Sequence, residues 1–201
     1  MSQDSETLAR LIGSRICHDL ISPVGAIQNG IELLAMEGQA GPEMALIEES
    51  VANASARIRF LRIAFGMASD GQAVGHTEIR SVLEDMGRAS RVSYHWPGSE
   101  DCSRPQLQCL FLAMMCLESA MPHGGAIHIV KEDSAWLARG PAETDRPDAA
   151  LWTQLARGTP QAETTLPAHV QFPLLIALMN ARGQRAQVAR DGEETVIRLP
   201  L

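Results

Sequence analysis

The sequence predicts an α+β protein in two unequal parts, an N-terminal antiparallel helical hairpin and a C-terminal domain of helices packed on a mixed sheet. Three observations carry this. Apolar residues hold helical spacing through two long segments up to position 65; glycines and small residues then crowd positions 66–75; beyond them helical and alternating patterns take turns over short stretches. The domains read as 1–66, a linker at 67–75, and 76–201.

The first helix follows from Leu8, Ile12, Ile16, Leu20, Val24, Ile27, Ile31 and Leu34, whose spacing of fours and threes keeps one face apolar. Pro23 falls inside it and should bend the axis, because it cannot donate to the carbonyl of Asp19. Residues 37–42 form a turn, with Pro42 suited to open the second helix. There Met44, Ile47, Val51, Ala54, Ile58, Leu61 and Phe65 make a heptad seam, with Glu43, Glu48 and Glu49 early and Arg57, Arg59 and Arg62 late, as the helix dipole favours. Two helices bury little by themselves. The seam implies a second hairpin from another copy, hence a homodimeric four-helix bundle.

In the second domain Thr77 caps a short helix to about Met86, and 91–96 alternates as a strand. Pro105 opens a strongly apolar helix ended by Pro122, His123, Gly124 and Gly125; 126–131 and 135–139 form a hairpin; 148–157 is a helix. A further helix spans 168–181 and stops at Gly183, and strands at 184–189 and 194–199 close the chain.

Composition excludes several classes of function. A formal net charge of -7, with Lys131 the single lysine, argues against nucleic-acid binding, which rests on neutralising phosphates. No cationic and apolar leader opens the sequence and no apolar run approaches about 20 residues, so a cytoplasmic protein without a membrane partner is expected. Cys17, Cys102, Cys109 and Cys116 lack the close pairing of zinc sites and read as core thiols. His76, His95, His123, His128 and His169 show no metal-ligand spacing and read as structural or exposed, so no metal or cofactor site is expected.

His18 is different. At about 100° per residue it projects opposite the apolar stripe, and Arg15, Ser22, Gly25, Asn29 and Glu32 fall on its side of the helix. That polar face, with small residues near its centre, lets a partner approach the imidazole closely. An exposed imidazole, with an ordinary pKa of about 6.5, is largely neutral in the cytoplasm and can attack phosphorus through a ring nitrogen. Asp19 is placed to orient the ring, and Arg15, one turn earlier, to offset phosphoryl charge. Ser22, Gly25, Asn29 and Glu32 would form a docking surface.

The segment His18-Asp19-Leu20-Ile21-Ser22-Pro23 resembles the H-box of sensor histidine kinases. The longer run from Arg15 through Asn29-Gly30-Ile31-Glu32-Leu33-Leu34 is similar to ChpT-type histidine phosphotransferases of bacterial phosphorelays. The resemblance implies that the second domain has the outline of the kinase ATP-binding α/β sandwich, in degenerate form. A kinase would place a magnesium-holding asparagine near Cys116, an adenine-contacting aspartate at Ala138, and a glycine run where His169-Val170-Gln171-Phe172-Pro173 stands. None of these is present, so no ATP binding is expected.

The resemblance therefore implies a phosphotransferase rather than an ATP-dependent kinase. His18 would shuttle a phosphoryl group between the receiver domain of a hybrid histidine kinase, which supplies the aspartate and the magnesium, and response regulators of the cell-cycle type. A divergent autophosphorylating kinase and a receiver-binding module without transfer are the alternatives.

Overall fold

The computed structural model describes residues 3–37, 42–69, 71–88, 90–98, 101–143, 149–161 and 164–200. Helices α1 (Gln3–Glu37) and α2 (Pro42–Phe65) form the hairpin. The rest follows as β1 (Ala73–Val74), α3 (His76–Arg88), β2 (Val92–His95), β3 (Cys102–Ser103), α4 (Arg104–Ser119), β4 (Gly125–Glu132), β5 (Ala135–Gly140), α5 (Ala149–Arg157), α6 (Gln171–Asn180), β6 (Gln187–Asp191) and β7 (Glu194–Pro200). The expected turn between the hairpin helices lies largely outside the described residues.

A five-stranded sheet has the order β2-β4-β5-β7-β6; β2 and β4 run parallel and the other pairs antiparallel. Its centre of gravity is α4. Every residue from Leu107 to Leu117 is buried, because the helix lies between the sheet, α6 and the end of α2 and has no solvent face. Ser103 caps it by accepting from the Gln106 amide, and Pro105 sits in the first turn, where a missing N–H costs nothing. After it, Gly124 takes φ 72°, and a Cβ there would meet the Arg91 carbonyl oxygen at 2.3 Å. Only glycine fits where the chain turns into β4.

The structure corrects four expectations. The segment after the hairpin is pinned: Ala73 and Val74 pair antiparallel with Ser103 and Cys102, and the Arg104 amide donates to the Gln72 carbonyl. The expected 168–181 helix is split into a 3-10 turn, Pro167–His169, and α6. Pro173 has no N–H for the His169 carbonyl, so the α-helical ladder starts only at Gln171. Cys17 is exposed rather than a core thiol; Cys102, Cys109 and Cys116 are buried.

The fourth correction concerns α2, which does not bury a single stripe. Ala54 and Leu61 are covered, but Met44, Val51 and Ile58 of the same seam are exposed. A second set, Phe60, Ile63 and Ala64, is buried in the second domain's core. Phe60 lies 4.7 Å from Phe111 and 5.9 Å from Tyr94, ring centre to centre. Beside it α4 closes the C-terminus of α2. Gln108 donates to the carbonyls of Ala64 (3.1 Å) and Gly66 (2.9 Å), and Arg104 to that of Arg62 (2.8 Å). A cation over terminal carbonyls also complements the helix dipole.

Since α2 shares one core with α3 and α4, hairpin and second domain should unfold together. Phe60→Ala should cost about 3–5 kcal/mol and lower the urea midpoints of far-ultraviolet circular dichroism and tryptophan fluorescence by equal amounts. Separate transitions would contradict the shared core.

Candidate functional site

His18 stands midway along α1 with 83% of its side chain exposed. Ser22, Asn29 and Glu32 are also exposed, and Gly25 is half-buried. A Cβ built on Gly25 meets nothing within 4 Å. Glycine in a helix is less favourable than alanine by roughly 0.5–1 kcal/mol, and no contact within the chain requires it here. Pro23 does not break α1, which runs through it, and Pro23 is itself buried.

Arg15 and Asp19 turn away from that surface into the cleft between α1 and the second domain, with 20% and 11% of their side chains exposed. Arg15 Nε donates to Asp19 Oδ2 at 2.7 Å, and Arg15 also donates to the Ala168 carbonyl in the 3-10 turn. The other carboxylate oxygen, Asp19 Oδ1, lies 3.3 Å from His18 Nδ1. A carboxylate only accepts, so this contact places the imidazole proton on Nδ1 and leaves Nε2 as the unprotonated nitrogen. Arg15, expected beside the incoming phosphate, is thus engaged below the histidine.

Under this pair lies a cavity of about 30 Å³ lined by Arg15, Asp19, Arg57, Phe60, Met115 and Glu118. Tyr94 donates to Glu118 Oε2 at 3.1 Å. Burial pushes the Glu118 carboxyl up; the Tyr94 hydrogen bond, Arg15 and Arg57 oppose this, and Asp19 adds to it. Burial, then the charge of Glu118, pushes the Tyr94 phenol well above its ordinary value. Glu118, Tyr94 and Arg57 were not anticipated. They are distant in sequence from His18, and only the tertiary arrangement of α1, α2, β2 and α4 brings them there.

The positions where a kinase would hold nucleotide are filled with apolar packing. Cys116 is fully buried and its thiol is pushed well up by burial, so it offers no hard oxygen for magnesium. Ala138 is fully buried in β5 between Ile129 and Ile197. Phe172 is fully buried, edge-on to Trp152 at 5.2 Å, where glycine amides would meet phosphates. Among the described residues no three His, Cys, Asp or Glu side chains group to hold a metal, and no helix is long and apolar enough to cross a membrane.

Comparison with known proteins concerns the family of the chain. Residues 76–194 match the model of the histidine phosphotransferase C-terminal domain family. Protein phosphotransferase ChpT of Brucella abortus (strain 2308) is 41% identical over 129 residues, 63% of this chain and 62% of that protein. The chain thus spans less than two thirds of that relative's length. A solved structure described as a bacterial phosphotransferase superposes with a TM-score of 0.77 at 29% identity, covering 98% of this chain and 97% of the other.

The raised Glu118 pKa makes a pH prediction. A carboxyl that titrates higher folded than unfolded contributes stability at acid pH that is lost as pH rises through its folded value. Glu118→Gln should remove that part of the decline, flattening urea midpoints measured from the ordinary carboxylate range to neutrality. Tyr94→Phe, which takes away the hydroxyl donor, should cost about 1–3 kcal/mol at neutral pH.

Proposed function

We propose that this chain, which belongs to the histidine phosphotransferase family, carries a phosphoryl group on His18 between proteins of a phosphorelay. The observation that carries the proposal is an exposed imidazole whose Nδ1 faces a carboxylate, on a helix face otherwise open to a partner. In the transfer step the Nε2 lone pair attacks the phosphorus of an aspartyl phosphate on a receiver domain. An N–P bond forms, the P–O bond to the aspartate breaks, and the aspartate leaves as a carboxylate. Asp19 faces the Nδ1–H while the ring carries positive charge, and the reverse sequence passes the group to the next aspartate. Phosphoryl transfer needs chiefly in-line positioning and charge stabilisation. A single nucleophile on this side is therefore sufficient, with magnesium supplied by the receiver.

The donor is proposed to be the receiver domain of a hybrid histidine kinase, and the acceptors response regulators. Ser22, Gly25, Asn29 and Glu32 are proposed as the surface on which they dock. The filled positions at Cys116, Ala138 and Phe172 support a second domain that retains the outline of a kinase ATP-binding domain without binding ATP.

The hairpin is proposed to pair with that of a second copy in a four-helix bundle. Val24, Ile31 and Leu33 on α1 and Met44, Val51 and Ile58 on α2 are exposed. A groove lined by Ile12, Ile16, Leu20, Ile58, Leu61 and Phe65 runs between the helices. Exposed apolar side chains grouped on one hairpin are the kind of surface that an interface between copies covers.

His18→Ala should abolish transfer from a phosphorylated receiver while leaving receiver binding measurable. Label appearing on His18 from ATP alone, with no phosphorylated donor, would contradict the relay. Gly25→Ala should raise the chain's own stability by about 0.5–1 kcal/mol yet weaken receiver binding by titration calorimetry. Ile58→Asp should convert a dimeric mass in sedimentation equilibrium to a monomeric one, whereas a wild-type monomer would refute the bundle.

A further inference from the structure

We infer that the second domain positions the phosphoacceptor, with Arg15 as the strut that connects them. This rests on the proposal that His18 carries the phosphoryl group. Neighbouring residues on a helix point about 100° apart, so an acid next to a histidine does not face it by default. Asp19 reaches His18 with one oxygen only while its other oxygen is held, and the holder is Arg15 Nε at 2.7 Å. A free surface arginine would leave that pair mobile. Here the other arm of the guanidinium donates to the Ala168 carbonyl, so the planar fork spans from α1 to the second domain.

The anchor is firm. The His169 amide donates to Leu166 and the Val170 amide to Pro167; Val170 and Gln171 are fully buried, and Gln171 donates to the Met115 carbonyl of α4. The line from the second domain's core to the reactive ring therefore runs through α4, the 3-10 turn, Arg15, Asp19 and His18 Nδ1. Arg57 and Glu118 border the same cavity from α2 and α4 and surround the ion pair with one further charge of each sign. This gives the second domain a use that does not require ATP. Arg15 is a positioning residue in this scheme, since its Nε and Nη1 are both engaged below the histidine.

The tautomer of His18 tests the inference. The 201-residue chain labelled with ¹⁵N-histidine, at alkaline pH, should show His18 protonated at Nδ1, its signals identified by their loss in His18→Gln. Arg15→Lys keeps the charge beside Asp19 but cannot span to Ala168. It should return His18 toward the mixed tautomers of free histidine and slow transfer from a phosphorylated receiver about tenfold. Pro167→Gly, which loosens the anchor without touching Arg15 or Asp19, should shift the tautomer in the same direction. Wild-type tautomer and rate in Arg15→Lys would overturn the inference, as would a slowed rate with an unchanged tautomer, which would mean that Arg15 acts on phosphoryl charge directly. Transfer persisting in His18→Ala would instead remove the phosphocarrier proposal itself.

Discussion

The insertion of Phe60 between Phe111 and Tyr94 is the contact on which the rest of the molecule depends. It makes the last turns of α2 part of the second domain's core, and Gln108 and Arg104 then close the helix end from α4. A hairpin joined only by a flexible segment would swing. This one is docked, with β1 paired to β3 at the exit of the hairpin. Because α2 is fixed, α1 lies at a set distance from the 3-10 turn, and the reach of one arginine from Asp19 to Ala168 becomes possible.

The cleft formed in this way is polar where an interior would ordinarily be apolar. Arg15, Arg57, Asp19 and Glu118 meet there with balanced charge, and Tyr94 adds a hydroxyl donor. Partly buried ion pairs contribute modestly to stability, because desolvation offsets much of the attraction. Their effect is directional: both Asp19 oxygens have an assigned partner, and one of these is the histidine. Burial raises the Glu118 carboxyl, and the Tyr94 hydroxyl, Arg15 and Arg57 offset part of that rise.

The hairpin's outer faces have the opposite character. Val24, Ile31, Leu33, Val51 and Ile58 remain in water within the single chain, next to a helix face carrying His18, Ser22 and Asn29. The apolar side is the one proposed to pair with a second copy. The polar side is the one proposed to dock a receiver, and a Cβ at Gly25 would meet no atom of the chain within 4 Å.

Much of this was legible in the sequence because it follows from local pattern. Apolar spacing marks the helices, Pro105 and Gly124 mark where α4 begins and the next turn closes, and the polar neighbours of His18 mark its face of α1. The expectation of a second domain without ATP binding came from the resemblance to kinases, whose nucleotide positions fall at Cys116, Ala138 and Phe172 here. Tertiary packing decided the rest. A heptad reading of α2 finds one stripe and cannot see that Phe60, Ile63 and Ala64 form a second, because the surface they enter is built by α3, β2 and α4 later in the chain. The orientation of Arg15 was undetermined for the same reason. Helical geometry placed it near His18, but its partner is a backbone carbonyl at Ala168, which no side-chain pattern can announce.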